Sequence, residues 1–134
     1  MTNLSSVTRL LLDTNAFLYF INKDSALSET AKNTLESEVG LLISTASLWE
    51  IAIKFSIGKL ILPDSFENFI PSQIHQNDIE ILPVTLFHLE KVSVLPFYHK
   101  DPFDRLIIAQ SAVEDLPVIS SDTAFDSYKI KRIW

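Results

Sequence analysis

Two rhythms of hydrophobic and polar positions alternate along the chain. Short apolar runs bounded by polar or turn-forming residues recur at 9–12, 41–43, 79–82 and 117–120, and longer segments between them return an apolar residue every three or four positions. The short runs predict strands covered on both faces, as in a parallel sheet, and the longer segments predict helices. A short helix is expected over 14–21 and broken by Asp24 and Ser25. A second opens at Ser28-Glu29-Thr30 and runs to about Glu38, with Gly40 ending it.

After the strand at 41–43, Ser44 and Thr45 are cap candidates for a helix reaching Phe55 or Ile57, with Gly58 suited to the position just past its end. Pro63-Asp64 is expected to start an amphipathic helix to about His75, with Phe66, Phe69 and Ile70 on one face. Residues 85–91 read as helix and 95–99 as loop. Asp101 then fits an N-cap and Pro102 the first helical position of a helix to about Val113. A fifth strand is expected over 129–133. Strands alternating with helices predict one α/β domain over 1–134, a sandwich around a parallel sheet whose sites form outside the carboxyl ends of the strands.

Composition narrows the function. Hydrophobic residues make up 47% and charged residues 21%, an ordinary globular balance, and the absence of cysteine excludes disulfides and zinc–thiolate sites and agrees with a cytoplasmic setting. The polar start and the interruption of the next apolar run by Asp13 and Asn15 leave no signal-peptide core. The longest stretch free of Asp, Glu, Lys and Arg, 39–49, is too short to span a membrane. Two glycines in the whole chain exclude a phosphate-cradling glycine-rich loop. A net charge of −6 argues against non-specific binding to nucleic acid, unless acids are gathered around metal in one pocket.

Four of the 17 acids stand where folding would gather them: Asp13 and Asp122 after strand ends, Asp104 on the first turn of a helix above Ile107 and Ile108, and Glu50 on a mid-helix face beside Ala46, Ser47 and Ile53. Each has a plainer use. Asp13 suits a helix cap, Asp122 a turn, Asp104 the positive end of a helix dipole, and Glu50 an ion pair with Lys54 worth about 0.2–0.5 kcal/mol. Gathered at one edge they would repel, two charges at 4 Å by about 4 kcal/mol at an effective dielectric near 20. Protons or a cation must then relieve them. All-oxygen ligation selects Mg²⁺ or Mn²⁺, and such ions activate water against phosphodiesters.

The chain also resembles a known family. Leu11-Leu12-Asp13-Thr14-Asn15, then Ala46-Ser47-Leu48-Trp49-Glu50-Ile51-Ala52-Ile53-Lys54 with Gly58-Lys59-Leu60, then the run from His99 to Gln110, and finally Ser120-Ser121-Asp122 with Phe125 follow in order. This succession is similar to the PIN-domain ribonucleases, and most closely to the VapC-type toxins of bacterial toxin–antitoxin pairs. The resemblance implies a three-layer α/β/α sandwich on a mainly parallel sheet of four to five strands. It places Mg²⁺- or Mn²⁺-binding catalytic acids on Asp13, Glu50, Asp104 and Asp122, and carboxylate-orienting groups on Asn15 and Ser120. It further implies a cytoplasmic endoribonuclease, an RNA substrate, a small antitoxin partner and a homodimer.

Lys100 and Arg105, with the segment 129–132, are the basic groups expected near RNA. Phe17, Tyr19, Phe20 and Trp49 are candidates for a partner surface, with core packing the plainer use. His75, His88 and His99 show no ligand spacing. Three rivals remain in view: a phosphoacceptor receiver domain, disfavoured because the central strand ends in Ser44-Thr45; an inactive interaction module of the same fold; and an RNA-processing nuclease that is not a toxin.

Overall fold

The structure is a computed structural model that describes residues 8–134. Its five strands form one parallel sheet in the order β3-β2-β1-β4-β5, with β1 at Arg9–Leu12, β2 at Gly40–Ser44, β3 at Ile79–Leu82, β4 at Val118–Ile119 and β5 at Arg132–Ile133. Six helices connect them: α1 Thr14–Ile21, α2 Glu29–Glu36, α3 Thr45–Ser56, α4 Phe66–Gln76, α5 Leu86–Val94 and α6 Pro102–Glu114. A 3₁₀ turn at Thr123–Ser127 joins β4 to β5. The chain is thus an α/β/α sandwich on an all-parallel sheet.

The strand period of two divides the core between the faces. Leu10, Leu12, Leu41 and Ile43 pack with Phe17, Ala31, Ile51 and Ile70 beneath α1 to α4. Leu11 and Leu42 point the other way, into a cluster with Ile107, Ile108, Ala109 and Phe125 from α6 and the 3₁₀ turn. Each such fully buried Leu, Ile or Phe contributes about 1.5–3 kcal/mol over its exposed state, so β1, apolar on both faces, is the keel of the fold. Phe17 is fully buried, which settles it as core.

The connections set where a site forms. From β1 the chain steps to β2 and β3 on one side, then returns across the sheet to β4 on the other. The carboxyl ends of β1 and β4 therefore flank the switch point, the usual ligand crevice of such sheets. Above it α3 packs against α6.

Several boundaries differ from the sequence reading for local reasons. Gly40 does not end α2, which closes at Ser37. It opens β2 instead, with its N–H bonded to Thr8 O, and a Cβ there would sit 3.3 Å from Arg9 Cγ. The fourth helix begins at Phe66, because Ser65 caps it by accepting from Asn68 N–H, and Pro63-Asp64 remain in the preceding turn. The last strand shrinks to two residues, and the 3₁₀ turn lies where no element was expected. Gly58, with φ of 76°, takes the left-handed position after α3 as predicted.

Candidate active site

Two of the four acids reach the crevice as helix caps, and a third stands on a turn that another capping aspartate fixes. Asp13, directly after β1, caps α1 through Oδ1, which accepts from Ala16 N–H at 2.8 Å. Asp122, after β4, caps the 3₁₀ turn through Oδ1, which accepts from Ala124 N–H at 3.0 Å. Asp101 caps α6 by accepting from Asp104 N–H at 2.9 Å, and this fixes the turn that carries Asp104. Capping and site formation are one arrangement: a single oxygen ties each of Asp13 and Asp122 to backbone N–H and the second remains for the site.

Glu50 arrives from α3. It is buried, with Oε1 2.7 Å from Thr14 Oγ1 and Oε2 accepting from Lys54 Nζ at 2.7 Å. Thr14 Oγ1 also lies 2.9 Å from Ser47 Oγ. One hydroxyl proton serves one acceptor, and the carboxylate has none of its own, so Thr14 donates to Glu50 and Ser47 completes the chain. The Lys54 pair is therefore real, and it coexists with membership of the cluster. Its first effect is to hold the Lys54 ammonium above its ordinary pKa.

The four carboxylates feel one another. Burial pushes the Asp13 carboxyl up to about 6; Ser120 and Ala16 N–H pull it down, and Asp122 and Glu50 push it further up. Asp104 rises to about 7, first through burial, then through Asp101, with Asp13 and Glu50 adding to the rise and His99 opposing it. Ser120 is fully buried, contacts Asp13 through its hydroxyl and accepts from Asp122 N–H at 3.0 Å, so it links the two strand-end acids.

His99, for which spacing offered no signal, lies at the centre. Its Nε2 is 2.8 Å from Asp122 Oδ2 and 3.2 Å from Asp104 Oδ2, and the three groups offer ligand atoms within 4.8 Å of one another. The imidazole is nonetheless not prepared as a ligand. Nδ1 lies 3.1 Å from Asp101 N–H, a donor that cannot change roles, so Nδ1 accepts and the ring proton sits on Nε2. His99 is thus a hydrogen-bond donor to Asp122, with Asp104 Oδ2 close beside the same nitrogen. Only the loop that returns 95–99 to α6 brings it there, which is why local spacing missed it.

Two expected roles are corrected. Arg105, expected near RNA, is buried, and its guanidinium donates to the carbonyls of Val92, Leu95, Pro96 and His99 and stacks 4.0 Å from the Phe97 ring. Asn15 is exposed on α1, and among the described residues no hydrogen bond joins it to a carboxylate; Thr14, one position earlier, holds Glu50 instead. Lys100 is exposed beside the site. In the 129–132 segment, Arg132 is held by Asp126 and by Ser120 O at 3.0 Å, so it braces the β4 end.

The donor set fits a hard divalent ion: oxygens of Asp104 and Asp122 converge beside His99, and Asp13 and Asp104, buried and close to further acids, keep protons toward neutrality, with Glu50 among those neighbours. This predicts an inverted pH profile. An acid whose folded pKa lies above its unfolded value of 3.8 keeps its proton in the native state after the unfolded chain has released it. Its stabilisation is therefore present at low pH and lost as pH rises from about 4 to 7. Metal-free protein should melt several degrees lower at pH 8 than at pH 5.5, and Mn²⁺ at pH 8 should restore the difference. Equal melting temperatures at both pH values in chelator would contradict this electrostatic picture.

Comparison with known proteins agrees with this geometry. The family model described as the PIN domain matches residues 10–131. No curated protein matches the chain at the sequence level. Among solved structures, VapBC2 from Rickettsia felis bound to a promoter DNA fragment superposes with a TM-score of 0.70 at 17% identity, covering 93% of this chain and 97% of that one. FitAcB from Neisseria gonorrhoeae gives 0.66 at 19% identity, with 92% and 95% covered. DNA-bound VapBC from Salmonella typhimurium gives 0.65 at 17%, with 94% and 96% covered. At these identities the superpositions establish the shared fold, and the family match spans nearly the whole chain. The chain belongs to the PIN domain family.

Proposed function

We propose that this protein is a Mg²⁺- or Mn²⁺-dependent endoribonuclease and the toxin of a toxin–antitoxin pair. The observation that carries the reading is the meeting of Asp13, Glu50, Asp104 and Asp122 at the switch point, with two of them held up to about 6 and 7. An inactive interaction module has no use for such mutual repulsion. The fold it shares with solved toxin–antitoxin complexes supports the toxin assignment and a small protein antitoxin as partner. A homodimer and a cytoplasmic location follow from the same family reading. Among the described residues no helix is long and apolar enough to cross a membrane.

In this reading Asp13, Asp104 and Asp122 hold the ion, and Glu50, fixed by Thr14 and Lys54, supplies the remaining negative charge. Ser120 keeps Asp13 and Asp122 in register, and His99 holds Asp122 beside Asp104. When bound, the ion lowers the pKa of a water and neutralises charge on the scissile phosphate. Lys100 is assigned to the RNA backbone, a role in which Arg105 has no part.

The test is incubation of a total RNA pool with the protein in Mg²⁺, in Mn²⁺ and in EDTA, followed by mapping of new 5′ ends. Discrete new ends that need the metal are expected. Cleavage that persists in EDTA would refute the mechanism.

A further inference from the structure

The 3₁₀ turn that Asp122 caps also reaches back to the site from its other end. It runs over Thr123–Ser127, with Asp122 before it and Tyr128 closing it through an N–H that donates to Phe125 O at 3.1 Å. Both flanking residues grip the same partner, His99 on the returning loop. Asp122 Oδ2 accepts from the imidazole Nε2–H at 2.8 Å, and the Tyr128 hydroxyl accepts from the His99 backbone N–H at 2.9 Å. Between them Phe125, fully buried in the middle of the turn, meets the imidazole edge to face with ring centroids 5.7 Å apart. Turn and loop thus close a ring of contacts that passes through His99 twice, once by side chain and once by backbone.

Chemistry fixes the direction of each bond. A backbone N–H only donates and a carbonyl only accepts, so Tyr128 Oη accepts from His99 and gives its own proton to Pro96 O at 2.6 Å. Pro96 O also has Arg105, whose Nη1 lies at 3.0 Å, so the loop as a whole does not depend on the phenol. The His99 N–H does: among the described residues its hydrogen bond is the one to Tyr128. Removing the hydroxyl therefore loosens the backbone of His99 while Arg105 keeps the loop in place. An imidazole on a loosened backbone holds Asp122 Oδ2 less constantly, and that partly exposed carboxylate is then left with its cap to Ala124 N–H on the other oxygen.

Resting on the nuclease reading, we infer that the Tyr128 hydroxyl is a positioning group for the divalent ion: by fixing the His99 backbone it holds Asp122 in the orientation that the ion requires. A carboxylate oriented before the ion arrives binds it more tightly than one that must be ordered by it.

The test compares wild type, Tyr128→Phe, His99→Ala and the double variant in two measurements. Mn²⁺ affinity is read from the electron paramagnetic resonance of the free ion, and stability from urea unfolding in EDTA. Tyr128→Phe keeps the buried ring and is expected to weaken Mn²⁺ binding on the order of 10-fold, the size of loss that follows removal of a group that orients a ligand. His99→Ala should weaken it at least as much. In the double variant the phenol should have no further effect on Mn²⁺, because the ring through which it acts is gone. Its cost in stability should remain, because the backbone N–H that it bonds is still there. In metal-free protein, NMR should show the His99 Nε2 proton in the wild type and lose it to exchange with water in Tyr128→Phe.

Wild-type Mn²⁺ affinity in Tyr128→Phe, or in His99→Ala, would overturn the inference. So would a Tyr128→Phe loss of equal size with and without the imidazole, which would make the phenol a support of the fold alone. The two readings fail separately. If Mn²⁺ binding depends on Tyr128 but RNA stays intact, the nuclease assignment falls and the positioning role stands; if RNA is cleaved and Tyr128→Phe binds Mn²⁺ as the wild type does, the reverse holds.

Discussion

Asp104→Asn is expected to reduce metal-dependent RNA cleavage on the order of 10²–10³-fold, and at the same time to make the metal-free protein more stable. The two effects have one cause. Asp104 lies among Asp101, Asp13 and Glu50 in a partly dry pocket that raises its carboxyl to about 7. Asparagine keeps the shape but removes the charge that an ion needs. Losing about 3–4 kcal/mol of metal-borne transition-state stabilisation corresponds to the loss of rate. Without metal at pH 8, the ionised Asp104 costs the fold on the order of 1–3 kcal/mol relative to the unfolded chain. Removing it should raise the melting temperature by roughly 5 °C. The Mn²⁺-induced rise seen in the wild type should largely vanish. Undiminished cleavage by Asp104→Asn would remove this residue from the mechanism, and an unchanged metal-free melting temperature would show that its burial is not costly.

Arg105→Ala should be among the most destabilising single changes in the chain, by about 3–5 kcal/mol. The guanidinium is buried and donates to the carbonyls of Val92, Leu95, Pro96 and His99, at 3.2, 3.2, 3.0 and 3.3 Å, and covers the Phe97 ring. Truncation leaves the Leu95 and His99 carbonyls without this donor, while Pro96 O keeps the Tyr128 hydroxyl and Val92 O the Leu95 N–H, and it opens a cavity beside Phe97. Lysine cannot spread donors over a planar fork, so Arg105→Lys should recover little. Because this turn delivers His99 to Asp104 and Asp122, cleavage should fall with stability. Urea unfolding measures the cost. A change within about 0.5 kcal/mol, an ordinary surface value, with RNA affinity lost instead, would return Arg105 to the RNA-facing role.

The helix-start signals explain why so much of the site was visible in one dimension. Asp13, Asp101 and Asp122 each precede a helical turn and act on backbone N–H groups within three residues, and such short-range bonds leave a spacing that can be read. Ser120 was legible for the same reason, standing between a buried strand and its terminal acid. Glu50 was legible because a carboxylate on an apolar helical face is anomalous whatever its partner. Arg105 was misread because a cation beside an acidic motif suggests phosphate, and nothing local reveals that the loop 95–99 folds back over it. Asn15 was misjudged by one position: Thr14 faces Ser47 and Glu50, and Asn15 faces solvent.

By itself the sequence determined the α/β alternation, the burial of β1 on both faces, and the caps. These are set by periodicity and by bonds spanning a few residues, so each segment carries its own evidence. The tertiary structure alone decided that Glu50 and Asp104 come together where α3 meets α6, that His99 donates its Nε2 proton to Asp122 beside Asp104, and that Arg105 is spent on carbonyls. Those contacts join residues brought together by the crossover from β3 to β4 or by the return of a loop. Their energies depend on packing between distant segments, and no local pattern of side chains encodes it.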